Sequence, residues 1–215
     1  RLEVGPPATV IVRVAEEERV DLIVMGAQGK SLAQELFLGS VAHQVVRTAP
    51  VPVFIEKFDV VRKLGHVECR RRCARTFKRV LHPTDFSACA DAAFNIVKRL
   101  RPAGTEEVIL LHVQDERAMR HRPAEQLAEF DRVDMERLEK MHQTLTLYGI
   151  PRTKVMLRRG IPFVETLRVA EEEDVCLTVL GSRGRSAVAE IFSGSTFENV
   201  VRQSQRPVLV VRGEG

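Results

Sequence analysis

A long internal repeat is the feature that most constrains this chain. Residues 1–57 align without a gap with residues 156–212, at a constant offset of 155, and 24 of the 57 positions are identical. Unrelated sequences of ordinary composition would agree at roughly three or four positions over that length. The repeat therefore predicts two copies of one structural module, of which the first lacks its beginning.

The bulk composition is that of a globular protein. The chain has 215 residues, of which 44% are hydrophobic and 29% charged, and its formal net charge is +4. Its apolar runs are too short to span a bilayer, which needs about 20 residues. The four cysteines are unevenly spaced and do not resemble a secreted disulfide framework. We therefore expect a reducing, cytoplasmic setting, with Cys89 and Cys176 as small buried hydrophobic residues.

The complete second copy alternates strands with helices. Ser87 is predicted to cap the first helix, Gly149 to end the long helix, and Pro162 to begin the next one. Apolar runs predict strands at residues 78–83, 107–113, 153–157, 175–180 and 207–211. Such alternation favours right-handed βαβ crossovers. The predicted fold class is α/β, a doubly wound five-stranded parallel sheet of order 3-2-1-4-5.

In the first copy the same patterns predict only the last three strands, at residues 2–4, 21–25 and 52–56. The counterpart of residues 77–155 is absent, which would leave a hole in a sheet of this order. We expect about 80 further residues before Arg1, by analogy with the intact copy. The predicted domains are the end of the first module (1–57), a basic linker (58–76) and a complete second module (77–215).

A glycine-rich sequence after the fourth strand is the strongest chemical signal. It reads Gly181-x2-Gly184-x9-Gly194-Ser195-Thr196, and it leads into a helix. Open α/β sheets bind ligands at the carboxyl ends of their strands, and a helix amino terminus suits a phosphate. At the ends of strands 1 and 2, Asp85 could accept hydrogen bonds from a base or sugar, and the main chain of Val113 could pair with a base edge.

The alternative is that these glycines only shape turns and that Ser195 only caps a helix. The first copy repeats part of the pattern with Gly26, Gly29, Gly39 and Ser40, but it has Val41 where the second copy has Thr196. A phosphate half-site could survive there, while the adenine half cannot be built. Gly29-Lys30-Ser31 resembles the end of a Walker A loop, but that motif requires glycine at position 24, which is valine.

These residues resemble the universal stress protein family, over nearly the whole chain. The specific elements are Pro83-Thr84-Asp85-Phe86-Ser87, Leu110-Leu-His-Val113 and the Gly-x2-Gly-x9-Gly-Ser signature. The full signature is similar to that of the ATP-binding branch. The resemblance implies Asp85 and Val113 at the adenine, and Pro83, Thr84 and Gly181 near the adenosine. It further implies contacts to the ribose and phosphates from Gly184, Gly194, Ser195 and Thr196, while Arg183 is a candidate for phosphate contact beside simple solvation.

Three other groups of residues have side chains that occur in metal, nucleic-acid or catalytic sites. His66, Cys69 and Cys73 form a metal-like cluster in the linker, but a fourth ligand is missing, so no metal site is predicted. The arginine-rich run at residues 70–75 lacks aromatic residues for nucleic-acid binding, and a solvated linker is favoured. His82 and His112 lie in predicted strands and are interpreted as core or edge histidines, so no catalytic residue is predicted.

The leading hypothesis is a cytoplasmic regulatory protein that binds ATP, with AMP or ADP as alternatives and Mg²⁺ as a possible companion, and with slow or absent turnover. The two modules are expected to form a pseudo-dimer through their last strands, from Val51 to Glu56 and from Arg206 to Arg212, which are also the expected route of self-association. Two alternatives stay open: an adenylating enzyme of the same α/β class, and the cytosolic regulatory domain of a membrane transporter.

Overall fold

The computed structural model describes residues 1–27, 38–63, 66–70, 72–120, 122–182 and 196–213, and within 59–71 the backbone alone. Helices in these residues are α1 (Pro7–Glu17), α2 (Ser40–Thr48), α3 (Ala88–Val97), α4 (Glu116–Met119), α5 (Ala124–Leu147), α6 (Pro162–Glu172) and α7 (Thr196–Gln203). The strands are β1 (Ile23–Gly26), β2 (Val53–Glu56), β3 (Asp59–Lys63), β4 (His66–Arg70), β5 (Arg79–Thr84), β6 (Glu107–Asp115), β7 (Arg152–Gly160), β8 (Leu177–Gly181) and β9 (Val208–Val211).

Seven of these strands form one mostly parallel sheet, in the order β1-β2-β9-β8-β5-β6-β7. The predicted α/β class is therefore confirmed. Counted within the second copy, the five strands from β7 to β9 follow the order 3-2-1-4-5. Among the described strand pairs of this sheet, only β2 with β9 is antiparallel.

The repeat in the sequence is also a repeat of elements. Helix α1 recurs as α6 and strand β2 as β9, each with both bounds moved by 155 residues. The two copies meet where β2 and β9 pair, with Val53 opposite Val210 and Ile55 opposite Val208. The expected contact between the last strands thus lies within one chain, and each of these two strands has a neighbour on both sides.

Local signals in the sequence fix several helix ends. The hydroxyl of Ser87 accepts a hydrogen bond from the amide of Ala90 at 3.3 Å and caps α3, as predicted. Pro162 occupies the first position of α6, where its missing N–H costs nothing. Gly149 has a φ of +76° just after α5, a left-handed conformation that glycine adopts without strain.

The core lies on both faces of the sheet. On one face β5 and β6 pack against α3 and α5 through fully buried residues such as Val97, Leu138 and Leu145. On the other face the same two strands contact α6 through Leu81, Ile109 and other residues. Continuous apolar runs in these strands are explained by this double coverage.

The predicted strand at residues 2–4 is wrong. The first six residues form no regular structure, and Leu2 and Val4 are 97% and 95% exposed. A strand needs a neighbour to pair with, and in the second copy the equivalent strand β7 pairs with β6. The described part of the first copy contains no counterpart of β6.

The linker contains structure that the sequence reading missed. Strands β3 and β4 form an antiparallel hairpin, with Asp59 opposite Arg70 and Lys63 opposite His66. Just beyond it, Cys73 forms a disulfide with Cys176. Cys176 is therefore not merely a small buried hydrophobic residue, and Cys89 is free and only half-buried.

Among the helices of the described residues, none is long and apolar enough to cross a membrane.

Candidate functional site

Three strand ends meet at one edge of the sheet. Strand β5 pairs with β6 so that Thr84 lies opposite His112, and it pairs with β8 on its other side through Leu81 and Thr178. Because all three strands are parallel, the residues that follow them emerge together. This edge therefore holds Asp85 after β5 and Gly181 at the end of β8.

Gly181 allows β8 to approach α3 closely. A Cβ atom added at Gly181 would lie 2.7 Å from the main-chain carbon and oxygen of Cys89, in the first turn of α3. Real Cβ atoms do not come that close to backbone, so a larger residue would force the strand and helix apart. The glycine-rich sequence thus begins directly beside the amino terminus of α3.

The turn after β5 is fixed by short polar contacts. The Thr84 hydroxyl accepts a hydrogen bond from the amide of Phe86 at 3.0 Å, and the Asp85 carboxylate accepts one from the amide of Ser87 at 3.1 Å. Phe86 has a φ of +58°, which is rare for a residue with a side chain. These bonds hold the Asp85 carboxylate near the amino terminus of α3, where the positive end of the helix dipole stabilises an anion.

A buried polar network supports this turn from below. His112 Nδ1 donates to the Thr84 carbonyl oxygen at 2.7 Å, and His112 Nε2 lies 3.4 Å from Asp134 Oδ2. The same carboxylate oxygen accepts a hydrogen bond from Gln114 Nε2 at 3.0 Å, and Gln114 Oε1 accepts one from Arg159 Nε at 3.1 Å. The network ties the end of β5 to β6, α5 and β7, so it fixes the position of the strand end that carries Asp85.

Phe86 and Arg137 pack next to the His112 ring of this network. The Phe86 ring and the His112 ring have centroids 4.6 Å apart, and the Arg137 guanidinium lies 5.2 Å from the Phe86 centroid. The two rings are tilted by 36° to each other, and the guanidinium adds a cation–π contact. Rotation of Phe86 would break these contacts, which therefore help to hold its strained backbone conformation.

Sequence reasoning missed Asp134, Gln114 and Phe86 as structural parts of the site. One signal was available for Asp134, which is an acidic residue four positions before Leu138 on the buried stripe of α5. A charge on such a stripe needs a buried partner. The network explains it, because Gln114 and His112 provide that partner.

A second buried histidine, His82, lies on β5. Its Nδ1 donates to the Val179 carbonyl oxygen at 2.9 Å, while Nε2 has no hydrogen-bond partner. Its ring stacks on Phe94 with centroids 5.7 Å apart. Burial lowers the pKa of His82 from 6.5 to about 4, because the charged form would lose its hydration. These contacts fit the prediction that His82 is a core histidine and not a catalytic one.

Part of the predicted ligand set can be located. Pro83 and Thr84 end β5, Val113 lies near the end of β6, Gly181 ends β8, and Thr196 begins α7. Arg183, Gly184, Gly194 and Ser195 lie outside the described residues. The structure brings together the strand-end half of the predicted site, and the loop half stays a prediction.

The equivalent half-site of the first copy is also partly described. Gly26 ends β1, and Gly39 precedes α2, whose first residue is Ser40. Gly29 lies outside the described residues. No strand of the described chain pairs with β1 on its outer side, so no described residue of the first copy lies in the position of Asp85.

Within the described residues, no group of three or more His, Cys, Asp or Glu side chains is placed so that it could hold a metal ion. The side chains of His66 and Cys69 lie outside that part. The third member of the predicted cluster, Cys73, is bonded to Cys176.

Comparisons with known proteins agree with this architecture. The sequence model of the Universal stress protein family matches residues 1–57 and 76–212. Universal stress protein MJ0577 of Methanocaldococcus jannaschii is 35% identical over 155 residues, which are 63% of this chain and 95% of that protein.

Two solved structures show the same fold. A universal stress protein from Archaeoglobus fulgidus is 28% identical with a TM-score of 0.67, and the match covers 99% of this chain and 67% of that one. A universal stress protein in complex with cAMP is 19% identical with a TM-score of 0.51, covering 64% of this chain and 98% of that one.

The sheet and its converging strand ends define an α/β protein of the doubly wound class, with a candidate ligand site at the carboxyl edge. The family match extends over both copies and includes the turn and the glycine-rich sequence. The chain belongs to the Universal stress protein family.

Proposed function

We propose that this protein is a regulatory member of the family that binds ATP in the second copy. The adenine and the adenosine would contact Pro83, Thr84, Asp85, Val113 and Gly181. The ribose and phosphates would contact Gly184, Gly194, Ser195 and Thr196, with Arg183 as a further candidate for phosphate contact. AMP or ADP would occupy the same site with fewer phosphate contacts. The expected cytoplasmic location stays a prediction from the sequence.

The observation that supports this proposal is the topology: Asp85 directly follows β5, and Gly181 ends β8, the adjacent parallel strand. The turn that holds Asp85 is locked by its own hydrogen bonds and by the buried network. A site whose acceptors are fixed before binding loses less entropy when the ligand arrives. The binding of cAMP by one structural neighbour supports a nucleotide as the ligand class.

Two substitutions in the second copy test the proposal by calorimetric titration with ATP. Gly194→Glu places a negative side chain at the expected phosphates, and we expect at least a tenfold loss of affinity, or about 1.4 kcal/mol. Asp85→Asn removes the charge but keeps an amide oxygen that can accept the Ser87 hydrogen bond. We expect this variant to fold normally and to bind ATP more weakly.

The repeat supplies the matched control. Gly39 is the first-copy equivalent of Gly194, and Gly39→Glu introduces the same charge where no described strand carries a counterpart of Asp85. We expect the control to keep wild-type affinity. Absence of saturable ATP binding by the wild-type protein, or equal effects of both glutamates, would refute the proposal. Pyrophosphate release that depends on a second substrate would instead favour the adenylating enzyme.

A further inference from the structure

We propose that Cys73 and Cys176 form a reversible oxidative modification site. Their Cα atoms are 5.6 Å apart, the spacing that most disulfides show, although the two residues are 103 positions apart in the sequence. Such a pair closes a loop that includes β5, β6, β7 and the helices between them. Neither cysteine belongs to the proposed nucleotide site, so this inference does not rest on that function.

The two cysteines lie at the end of the sheet opposite the candidate site. Cys176 directly precedes β8, and its amide donates to the Arg79 carbonyl oxygen at 2.8 Å, where β5 begins. Gly181, in contrast, is at the other end of β8. Cys73 lies between the β3–β4 hairpin and β5, so the bond fastens the segment between the two copies to the sheet.

Two ion pairs at the surface support the same docking, and the shorter one joins Arg75 Nη2 to Glu106 Oε1 at 2.8 Å. Arg72 Nη1 lies 3.6 Å from Glu171 Oε1, at the end of α6 and close in sequence to Cys176. This pair is solvent-exposed on the glutamate side, so it stabilises the contact only weakly. The disulfide is therefore the stronger connection, and its reduction should loosen the segment around residues 72–75.

The exposure of the two sulfur atoms sets the order of the chemistry. Cys176 is only 6% exposed, whereas Cys73 is half-buried. A small disulfide would therefore be attacked by the Cys73 thiolate, which forms a mixed disulfide and expels one small thiol. The Cys176 thiolate then attacks the Cys73 sulfur and expels the second small thiol. In the oxidation, the two hydrogen atoms lost by the protein thiols appear on the two small thiols that are released. Reduction by two small thiols reverses both steps and regenerates the small disulfide.

Differential alkylation of the intact chain tests the proposal. The protein is equilibrated with oxidised or reduced glutathione, denatured in N-ethylmaleimide at low pH, and analysed by peptide mass spectrometry. We expect four alkylated cysteines after reduction. After oxidation we expect a peptide linked through Cys73 and Cys176, with neither of these two residues alkylated. The oxidised protein should also have a midpoint of thermal unfolding about 5–10 °C higher, because the bond restricts the unfolded chain.

A matched control separates this bond from other thiol chemistry. Cys89→Ser removes the free cysteine of the described chain and should leave the oxidised pair unchanged. Cys176→Ser should abolish the bond and leave Cys73 joined to glutathione. Four free thiols after equilibration with oxidised glutathione, or pairing of Cys69 in place of Cys73, would overturn the proposal.

Discussion

Acid should destabilise this protein through His82. The ring is fully buried, and its pKa in the folded protein is about 4, against 6.5 for an ordinary histidine. Below pH 6.5 the unfolded chain therefore binds a proton that the folded chain rejects. Stability from this residue is fully present above pH 6.5 and falls as the pH decreases to about 4. The two pKa values differ by about 2.5 units, and each unit corresponds to about 1.4 kcal/mol. Lowering the pH to 4 should therefore reduce the free energy of unfolding by about 3 kcal/mol.

The assay is urea unfolding followed by circular dichroism at a series of pH values from 7.5 to 4. His82→Gln removes the titration while keeping an amide donor for the Val179 carbonyl oxygen. We expect the variant to be less stable than wild type at pH 7.5, because glutamine does not fill the ring's place against Phe94. The difference in free energy of unfolding between the two proteins should shrink by about 3 kcal/mol on going to pH 4.

His142 offers a control on the same chain. It lies on α5 and is partly exposed, so His142→Gln makes the same substitution outside the core around β5. Carboxylates also titrate below pH 5, but they do so equally in all three proteins. A difference between wild type and His82→Gln that stays constant from pH 7.5 to pH 4 would refute the reasoning.

Two further predictions concern packing. Gly181→Ala should lower the free energy of unfolding by about 1–3 kcal/mol, because its Cβ would overlap the backbone of Cys89; equal stability in urea would contradict the close approach. The repeat-matched pair Val24→Ala and Val179→Ala should differ, since Val24 is 64% exposed and Val179 is 0% exposed. Measured by urea unfolding, the free energy of unfolding should fall by about 2–3 kcal/mol for Val179→Ala and change by less than about 0.5 kcal/mol for Val24→Ala. Equal losses in the two variants would contradict the difference in burial.

Local signals in the sequence were sufficient for the helix ends and the fold class. The hydroxyl of Ser87, the fixed φ of Pro162 and the positive φ of Gly149 each act within a few residues, so their effects can be read without tertiary information. The alternation of apolar strands with helices then limits the topology to a parallel sheet.

Long-range contacts were the part that the sequence could not supply. The bond between Cys73 and Cys176 depends on where β8 begins beside β5, which no spacing in the sequence states. The network of His112, Gln114 and Asp134 likewise joins residues from a strand and a helix that meet only in the folded protein. Asp134 was detectable as a charge on a buried stripe, but its partners were not.

The two copies show why similar sequence does not ensure similar structure. Leu22 and Val24 recur as Leu177 and Val179, yet the first pair is 43% and 64% exposed while the second is fully buried. The difference comes from β5 and α3, which cover β8 and have no counterpart beside β1 in the described chain. The strand predicted at residues 2–4 is wrong for the same reason, because no described strand lies beside that segment. A pattern of apolar residues states that a segment can be buried, and only a neighbouring element decides whether it is.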